Sequence, residues 1–456
     1  MIDLLRKKEN IDKRLIALID GEHYPDVTLD AIKLIKKKFP GEFAGIVFLG
    51  GTEKLVLDDP EHYFGEKVFL IEDFSRDIIK ALHVFNPDIA YDLSDEPVVN
   101  YRKRMLIASY CLANNCSYMG PDFCFMSFPR NIKVGRSSIS IIGTGKRIGK
   151  TAVSSYIANF YVKNKVDICI VAMGRGGPKT PQVLKGHELE LTPDYLLDLS
   201  HKGFHASSDY IEDALMSRVN TVGCRRCGGG FGGKIFLTNV KEGIKEAEKL
   251  NPNLIIVEGS GASVPDVETD ANICVIGAFQ QWENIIGYLG IYRIMGADLI
   301  ILTMCEHPLA EEGKILFLER EISKINPGAK IIRSIFRPKP LSNIKGKKIF
   351  VVMTAKHKIE NEIREYLEKN YKCKVAFISF NLSNRKLLRQ DLELVKDYDT
   401  ILTELKAASV DVLTEFSFKN NKDIVYMNNI PVIISDNTIF EKELKKIYKK
   451  IKNSGV

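Results

Sequence analysis

The stretch that most limits how this chain can fold is GTGKRIGKT, Gly143 to Thr151, set between an apolar strand and an amphipathic helix. The segment before it, SSISIIG, is short, apolar and β-branched. The segment after it places Val153, Tyr156, Ile157, Phe160 and Tyr161 at helical spacing. A glycine-rich turn from strand to helix aims backbone N–H groups and a helix N-terminus at one spot, which suits an anion. In such a loop Lys150 reaches the β- and γ-phosphates of a nucleotide, and the Thr151 hydroxyl ligates Mg²⁺. Gly143, Thr144, Gly145, Lys146 and Gly149 complete the expected ATP-binding loop.

At 456 residues the chain exceeds one comfortable core, so two or three domains are expected. Apolar strands alternate with helical patterns from end to end. Within residues 1–130, RLIALID, GIVFLGG, KVFLIED and PDIAYDL read as strands, followed by a helix around Tyr101 to Asn114. This predicts a smaller N-terminal Rossmann-like α/β domain. CSYMGPDFCFMSFPRNIKVG reads as a linker. Residues 131–456 carry ISIIG, DICIVAM, KIFLTN, LIIVEG, ICVIGA and LIILTM, apolar on both faces like the strands of a helix-covered parallel sheet. The expectation there is a P-loop NTPase-type, mostly parallel sheet flanked by helices, the ATP-binding catalytic domain. Residues 345–456 are read as a C-terminal α/β extension of it. Whether that extension continues the sheet or forms another lobe stays open.

No apolar run is long enough to cross a bilayer, so no membrane partner is expected. The N-terminal MIDLLRKKENIDKR is charged throughout and lacks the apolar stretch of a secretory signal, which points to a cytoplasmic protein. The net charge of +7 sits on lysine-rich helix faces such as KLIKKKF and KELKKIYKKIKN. These lack the interleaved aromatics of a single-strand binder, so no nucleic-acid partner is expected. Lysine outnumbers arginine and isoleucine is abundant, a balance that thermophiles favour. The nine cysteines are scattered, several of them inside apolar strands, and read as reduced thiols.

Several further groups stand at strand ends, where open α/β sheets bind ligands. Glu258 closes NLIIVEG and is the expected second metal ligand, opposite Thr151. Arg175 and Lys179 lie in MGRGGPKTP, a turn suited to an anionic substrate or a transferring phosphoryl group. In CRRCGGGFGG, Arg225 and Arg226 precede five glycines around Phe231. That segment is either a mobile loop folding over phosphates or half a metal site, with Cys224 and Cys227 joined by His201 and His205. RSIFRPKP places Arg333, Arg337 and Lys339 in what reads as a rigid proline turn, another anion-binding candidate. His23, in IDGEHYPDV after the first strand, could serve as acid, base or phosphate donor, or belong to a helix-capping turn with Asp20.

GTGKRIGKT, VEGSGASVP and GRGGPKTP together resemble the dethiobiotin-synthetase branch of P-loop enzymes. The extra N-terminal α/β unit, CRRCGGGFGG and IFRPKP narrow the resemblance to the cyclic 2,3-diphosphoglycerate synthetases of methanogenic archaea, over the full length. The resemblance implies a ligase that couples ATP hydrolysis to closing an intramolecular phosphoanhydride in 2,3-bisphosphoglycerate, with Mg²⁺ as cofactor. It implies Lys150, Arg175 and Lys179 as catalytic residues. It also implies a polyanion site drawn from Arg175, Lys179, Arg225, Arg226, Arg333, Arg337 and His23, and a homodimer.

Two other readings compete. A partitioning-type ATPase or metal-delivery GTPase would place a lysine directly after the first loop position, where this chain has Gly145 and then Lys146. A GTPase would also carry N-K-x-D after a late strand, and ILTMCEH has no such match. A different ATP-dependent ligase or kinase acting on a small polyanionic acid stays open.

Overall fold

The computed structural model describes residues 5, 7, 10–51, 53–54, 59–128, 130–189, 192–202, 209–287, 289–355 and 359–454. They divide into two compact units: residues 1–129 with 281–296 and 324–326, and residues 130–280, 297–323 and 327–456.

The first unit is built on β1 (Arg14–Ile19), β2 (Glu42–Phe48), β3 (Val68–Leu70), β4 (Ile89–Asp92), β5 (Ser117–Met119) and β6 (Cys124–Phe125). Their order is β3-β2-β1-β4-β5-β6, parallel except for the last pair, so the direction of winding reverses between β1 and β4. This is the strand order of a Rossmann half. The helices follow local rules. In α1 (Pro25–Lys38) a proline opens the first turn, Thr28, Ile32 and Ile35 form the buried stripe, and three lysines close the last turn. Asp73 caps α2 (Phe74–Phe85) by accepting from the Arg76 amide at 2.9 Å, and Asn100 caps α3 (Tyr101–Ala113).

The second unit opens with β7 (Ile132–Lys133) and β8 (Ser138–Gly143), then β9 (Ile168–Gly174), β10 (Gln182–Lys185), β11 (Asn220–Cys227) and β12 (Leu237–Thr238). It continues through β13 (Leu254–Glu258), β14 (Val267–Glu268), β15 (Ala271–Gly277), β16 (Leu299–Thr303) and β17 (Lys330–Pro340). The last strands are β18 (Lys348–Val352), β19 (Lys374–Ser379), β20 (Thr400–Glu404) and β21 (Asp423–Ile433). β7 pairs only with β14; the others form one sheet in the order β10-β11-β9-β13-β8-β15-β16-β17-β21-β20-β18-β19, with β12 on β11. The mostly parallel, helix-flanked P-loop sheet expected from the sequence is present. The helices that matter below are α4 (Lys150–Lys163), α5 (Asp209–Ser217), α6 (Glu312–Ile325), α7 (Glu360–Tyr371) and α8 (Asn437–Ser454). The main core packs α4 against β8, β9, β13 and β15, and α8 closes it, with the Tyr161 hydroxyl donating to the Leu444 carbonyl at 2.9 Å.

The strands after residue 345 join this sheet with a specific geometry. The first part of β17, Lys330–Arg333, pairs in parallel with β16. The rest, Ser334–Pro340, pairs antiparallel with β21, whose own beginning pairs in parallel with β20. Glu404, at the end of β20, is thus level with Met427 and Pro340, while Thr400 lies farther out. β20 and β18 therefore run back toward the P-loop sheet, and the carboxyl ends of the two sets of strands face each other.

Two local expectations are corrected. RSIFRPKP is not a turn: β17 runs unbroken through it. Pro338 and Pro340 are tolerated because the Leu341 amide bonds the Tyr426 carbonyl, which puts both prolines at alternate positions whose amides would point away from β21. KIFLTN shrinks to the two residues of β12, and Phe236 is 91% exposed, so this segment never enters the parallel core.

Candidate nucleotide and phosphate site

The loop after β8 is held from beneath. Ile148 is fully buried, and its carbonyl accepts from the Thr303 hydroxyl at 2.8 Å. The Thr144 hydroxyl donates to Gln280 Oε1 at 2.7 Å. Gly149 has φ of +86°, and a Cβ there would overlap the Phe336 ring, so glycine is required twice over. The helix that follows presents Lys150 and Thr151.

Lys150 is buried and donates to the Gly145 carbonyl at 2.8 Å. Burial pushes its ammonium down to about 8, opposed by the attraction of Glu258 and Asp209. The Thr151 hydroxyl donates to Glu258 Oε1 at 2.8 Å. Glu258 Oε2 is buried without a hydrogen-bond donor among the described residues, and so is Asp213 Oδ2 on α5. Burial raises both carboxyl groups, and each affects the other, Asp213 being raised by its charged neighbour. The pair is relieved either by sharing one proton or by a cation. A hard cation beside Thr151 fits this donor set, because all the groups on offer are oxygens.

A second cluster lies beside the loop. Gly261, with φ of +62°, is approached by two guanidinium groups: a Cβ there would lie 3.1 Å from Arg175 Nη2 and 3.3 Å from Arg226 Nη2. Arg226 is buried and donates to carbonyls, Ser260 at 2.9 Å and Gly228 at 3.4 Å, and its Nε has no partner among the described residues. Burial first, then the charge of Arg175, pulls Arg226 below its usual range. Lys146 is lowered in the same way, by burial and then by Arg175 and Arg147. The Asp209 carboxylate offsets part of this crowding at both Arg226 and Lys146.

A cleft of about 1050 Å³ is lined by Lys146, Lys150, Thr151, Arg175, Asp209, Glu258 and, across from them, residues of the C-terminal lobe; Arg226 stands behind Ser260 and Gly261, which also line it.

The other residues singled out in the sequence lie elsewhere. Lys179 is exposed and does not line the cleft; its carbonyl accepts from Asn239 at 3.1 Å. Arg225 is half-buried with its amide bonded to Asn239 Oδ1 at 2.7 Å, and strand alternation turns it away from Arg226. Arg333 is tied to Glu319 and Glu312 of α6 at 2.6–2.7 Å. Arg337 forms a two-pronged pair with Glu306 at 2.9 and 2.7 Å and lies over the Tyr366 ring. Lys339 is exposed. His23, in the first unit, sits 2.9 Å from Asp20 through Nδ1. Cys224 is buried and Cys227 exposed, three residues apart on one strand and so on opposite faces. His201 is exposed beside Glu415, and His205 lies outside the described residues. No cluster of three or more metal-ligating side chains occurs among the described residues.

Residues 14–126, 138–335 and 340–430 match, in turn, the N-terminal, P-loop and C-terminal domains of cyclic 2,3-diphosphoglycerate synthetase. The chain belongs to that family. Among its relatives, the cyclic 2,3-diphosphoglycerate synthetase of Methanothermus fervidus is 47% identical over 93% of this chain and 94% of its own. That of Methanothermobacter thermautotrophicus is 44% identical over 92% of each, and that of Thermococcus sibiricus 44% over 94% and 97%. Among solved structures, LpxK from Aquifex aeolicus aligns with a TM-score of 0.41 and 16% identity over 69% of this chain and 90% of that one, too distant to bear on the site.

Asp209, Glu212 and Asp213 on α5, and Lys406 and Glu404 of the lobe, escaped the sequence reading. Asp209, Glu212 and Asp213 share one helix face, but an acidic face on a short helix is ordinarily a solvated one, and nothing local sets it apart. Lys406 carried no signal either, because its partner is Glu212, 2.5 Å away and far off in sequence.

Proposed function

We propose that the protein closes a phosphoanhydride between the two phosphates of 2,3-bisphosphoglycerate at the expense of ATP, releasing ADP and phosphate. The observation that carries this reading is the meeting of Arg175 and Arg226 over Gly261, beside a loop that ends in Lys150 and Thr151. Two phosphates and a carboxylate carry about four to five negative charges. Bringing that next to ATP requires several cations, and the Arg175–Arg226 pair supplies two beside the loop.

The chemistry takes two displacements. An oxygen of one substrate phosphate attacks the γ-phosphorus of ATP; the bond to the β-phosphate oxygen breaks and ADP leaves. An oxygen of the other substrate phosphate then attacks the activated substrate phosphorus, the ring closes, and inorganic phosphate leaves. Phosphate oxygens are nucleophiles at neutral pH, so no strong base is called for, and positioning with electrostatics dominates. Lys150, drawn off the Gly145 carbonyl, holds the β- and γ-phosphates. Arg175 and Arg226 orient the bisphosphate, and Lys146 neutralises charge at the mouth. Thr151 and Glu258, with Asp213 behind, would hold Mg²⁺, which screens the charge that spreads over the transferred group. Lys179 and Arg225 stand outside the cleft and have at most a supporting part in this scheme. The homodimer suggested by the resemblance belongs to the same proposal and is checked by sedimentation.

The test is whether ADP release by the purified protein, with Mg²⁺ and ATP, requires 2,3-bisphosphoglycerate. Turnover that ignores the bisphosphate would sink the ligase reading and revive a nucleotide switch.

A further inference from the structure

Gln280 grips the start of the phosphate loop and the end of β15 with one side chain. Its Oε1 accepts from the Thr144 hydroxyl at 2.7 Å and from the Gly277 amide at 3.0 Å, and its Nε2 donates to the Thr144 carbonyl at 3.4 Å. A Cβ on Gly145 would lie 2.7 Å from that Nε2, so the Gln280 amide group rests against the loop backbone. One residue later the chain leaves the second unit: residues 281–296 belong to the first.

That inserted segment is held firmly at its far end. Leu289 and Ile291 are buried in the same core as Ile107 and Tyr110 of α3, and Asn326 Nδ2 donates to the Ile294 carbonyl at 2.8 Å. Its near end carries Trp282, the only tryptophan in the chain, with the Arg102 guanidinium 5.4 Å from the ring centre. Between the two ends, Glu283–Gly287 forms a π-helical turn. Gly290 passes so close beneath it that a Cβ would lie 2.3 Å from the Ile285 carbonyl oxygen. A π turn holds one residue more than an α turn and is a rare, less favourable form that recurs at functional sites. With the far end fixed, a displacement of Gln280 is taken up in this turn and at Trp282.

The loop supplies such a displacement. Without phosphate, Lys150 donates to the Gly145 carbonyl at 2.8 Å. A bound polyphosphate takes that ammonium, and the Gly145 peptide, with no side chain to hold it, is free to turn. The Gln280 amide group lies against that same peptide, so two arrangements of the loop impose two arrangements of Gln280.

We propose that Gln280 is a positioning residue that couples occupancy of the phosphate loop to the inserted segment 281–296, through its bonds to Thr144 on one side and the Trp282 and π-helical turn on the other. This rests on the reading of the loop as the nucleotide site. Coupling of this kind is reciprocal, so the state of the inserted segment also sets the grip of the loop on phosphate.

The experiment follows Trp282 emission in the full-length protein as ADP is added with Mg²⁺, with binding measured separately by calorimetry. In wild type the emission changes along the binding curve. Gln280→Ala binds ADP about 3- to 10-fold more weakly, the worth of one or two hydrogen bonds, and loses the Trp282 response at saturation. Gln280→Glu keeps the oxygen that accepts from Thr144 and Gly277 and regains the response at saturation. A base that quenched Trp282 by touching it would do so in every variant, so a response undiminished in Gln280→Ala overturns the proposal. A silent Trp282 in wild type with ADP bound overturns it as well. Hydrogen exchange supplies a reading on wild type alone: the amides of residues 283–287 change protection when ADP binds, and unchanged amides overturn the coupling even where Gln280→Ala does not fold. Wild type that fails to bind ADP overturns the nucleotide reading of the loop instead, and the coupling with it.

Discussion

Burial pushes the Lys150 ammonium down to about 8, and in the cradle it donates to the Gly145 carbonyl. A polyphosphate favours the charged form, so nucleotide binding takes up a proton when the free protein stands near pH 8. Affinity then falls with rising pH above about 8, approaching tenfold per unit; calorimetry in buffers of different ionisation enthalpy reads the proton directly. The sign for folding is opposite. A lysine held below its ordinary value costs stability while charged, and that cost fades as pH climbs from about 8 toward the usual lysine range. Lys150→Ala removes a preorganised charge from the transferring group and lowers turnover by at least about a hundredfold with the fold intact, measured as rate beside circular dichroism. Arg175→Ala raises the KM for bisphosphate by about 10- to 100-fold, the worth of a charge-assisted hydrogen bond, and leaves ATP affinity nearly unchanged. Equal loss of both would move Arg175 to the nucleotide. Among single residues, those whose role is written in one short stretch were legible: Gly143 to Thr151, and Glu258 at a strand end. Asp213 and Lys406 were not, because their significance comes from neighbours distant in sequence.

At the level of elements, the strand–loop–helix unit depends on one backbone conformation. Gly149→Ala forces a side chain into the left-handed region and into the Phe336 ring. It costs about 1–3 kcal/mol and empties the cradle, seen as a lowered melting temperature together with lost nucleotide binding. Strands apolar on both faces, β8, β9, β13, β15 and β16, could be read from pattern alone because burial on two sides leaves a continuous apolar run. β17 misled, because proline in a strand is permitted where the missing amide would have pointed away from its partner, and only the pairing reveals that. The C-x-x-C pair, left open in the sequence between a phosphate loop and half a metal site, has its two thiols split across the sheet because the spacing falls on a strand.

Over the whole molecule, β17 and β21 turn two sets of parallel strands toward each other, so that both offer their carboxyl ends to one cleft. The alternation of strands and helices predicted α/β units, but it carried no information about the antiparallel joint. Contact between β17 and β21 bridges positions about a hundred residues apart. Among the described residues no helix is long and apolar enough to cross a membrane. The Arg337–Glu306 pair lies where the cleft wall meets β17, and both side chains are mostly buried. Arg337→Ala leaves Glu306 without its counter-ion and lowers unfolding free energy by about 3 kcal/mol, read from urea titration. Phosphorus NMR of the purified protein with ATP, Mg²⁺ and 2,3-bisphosphoglycerate tests the central claim most directly. The account predicts a new cyclic phosphoanhydride signal that grows in step with ADP and inorganic phosphate; ADP and phosphate accumulating while both bisphosphate resonances stay unchanged would contradict it.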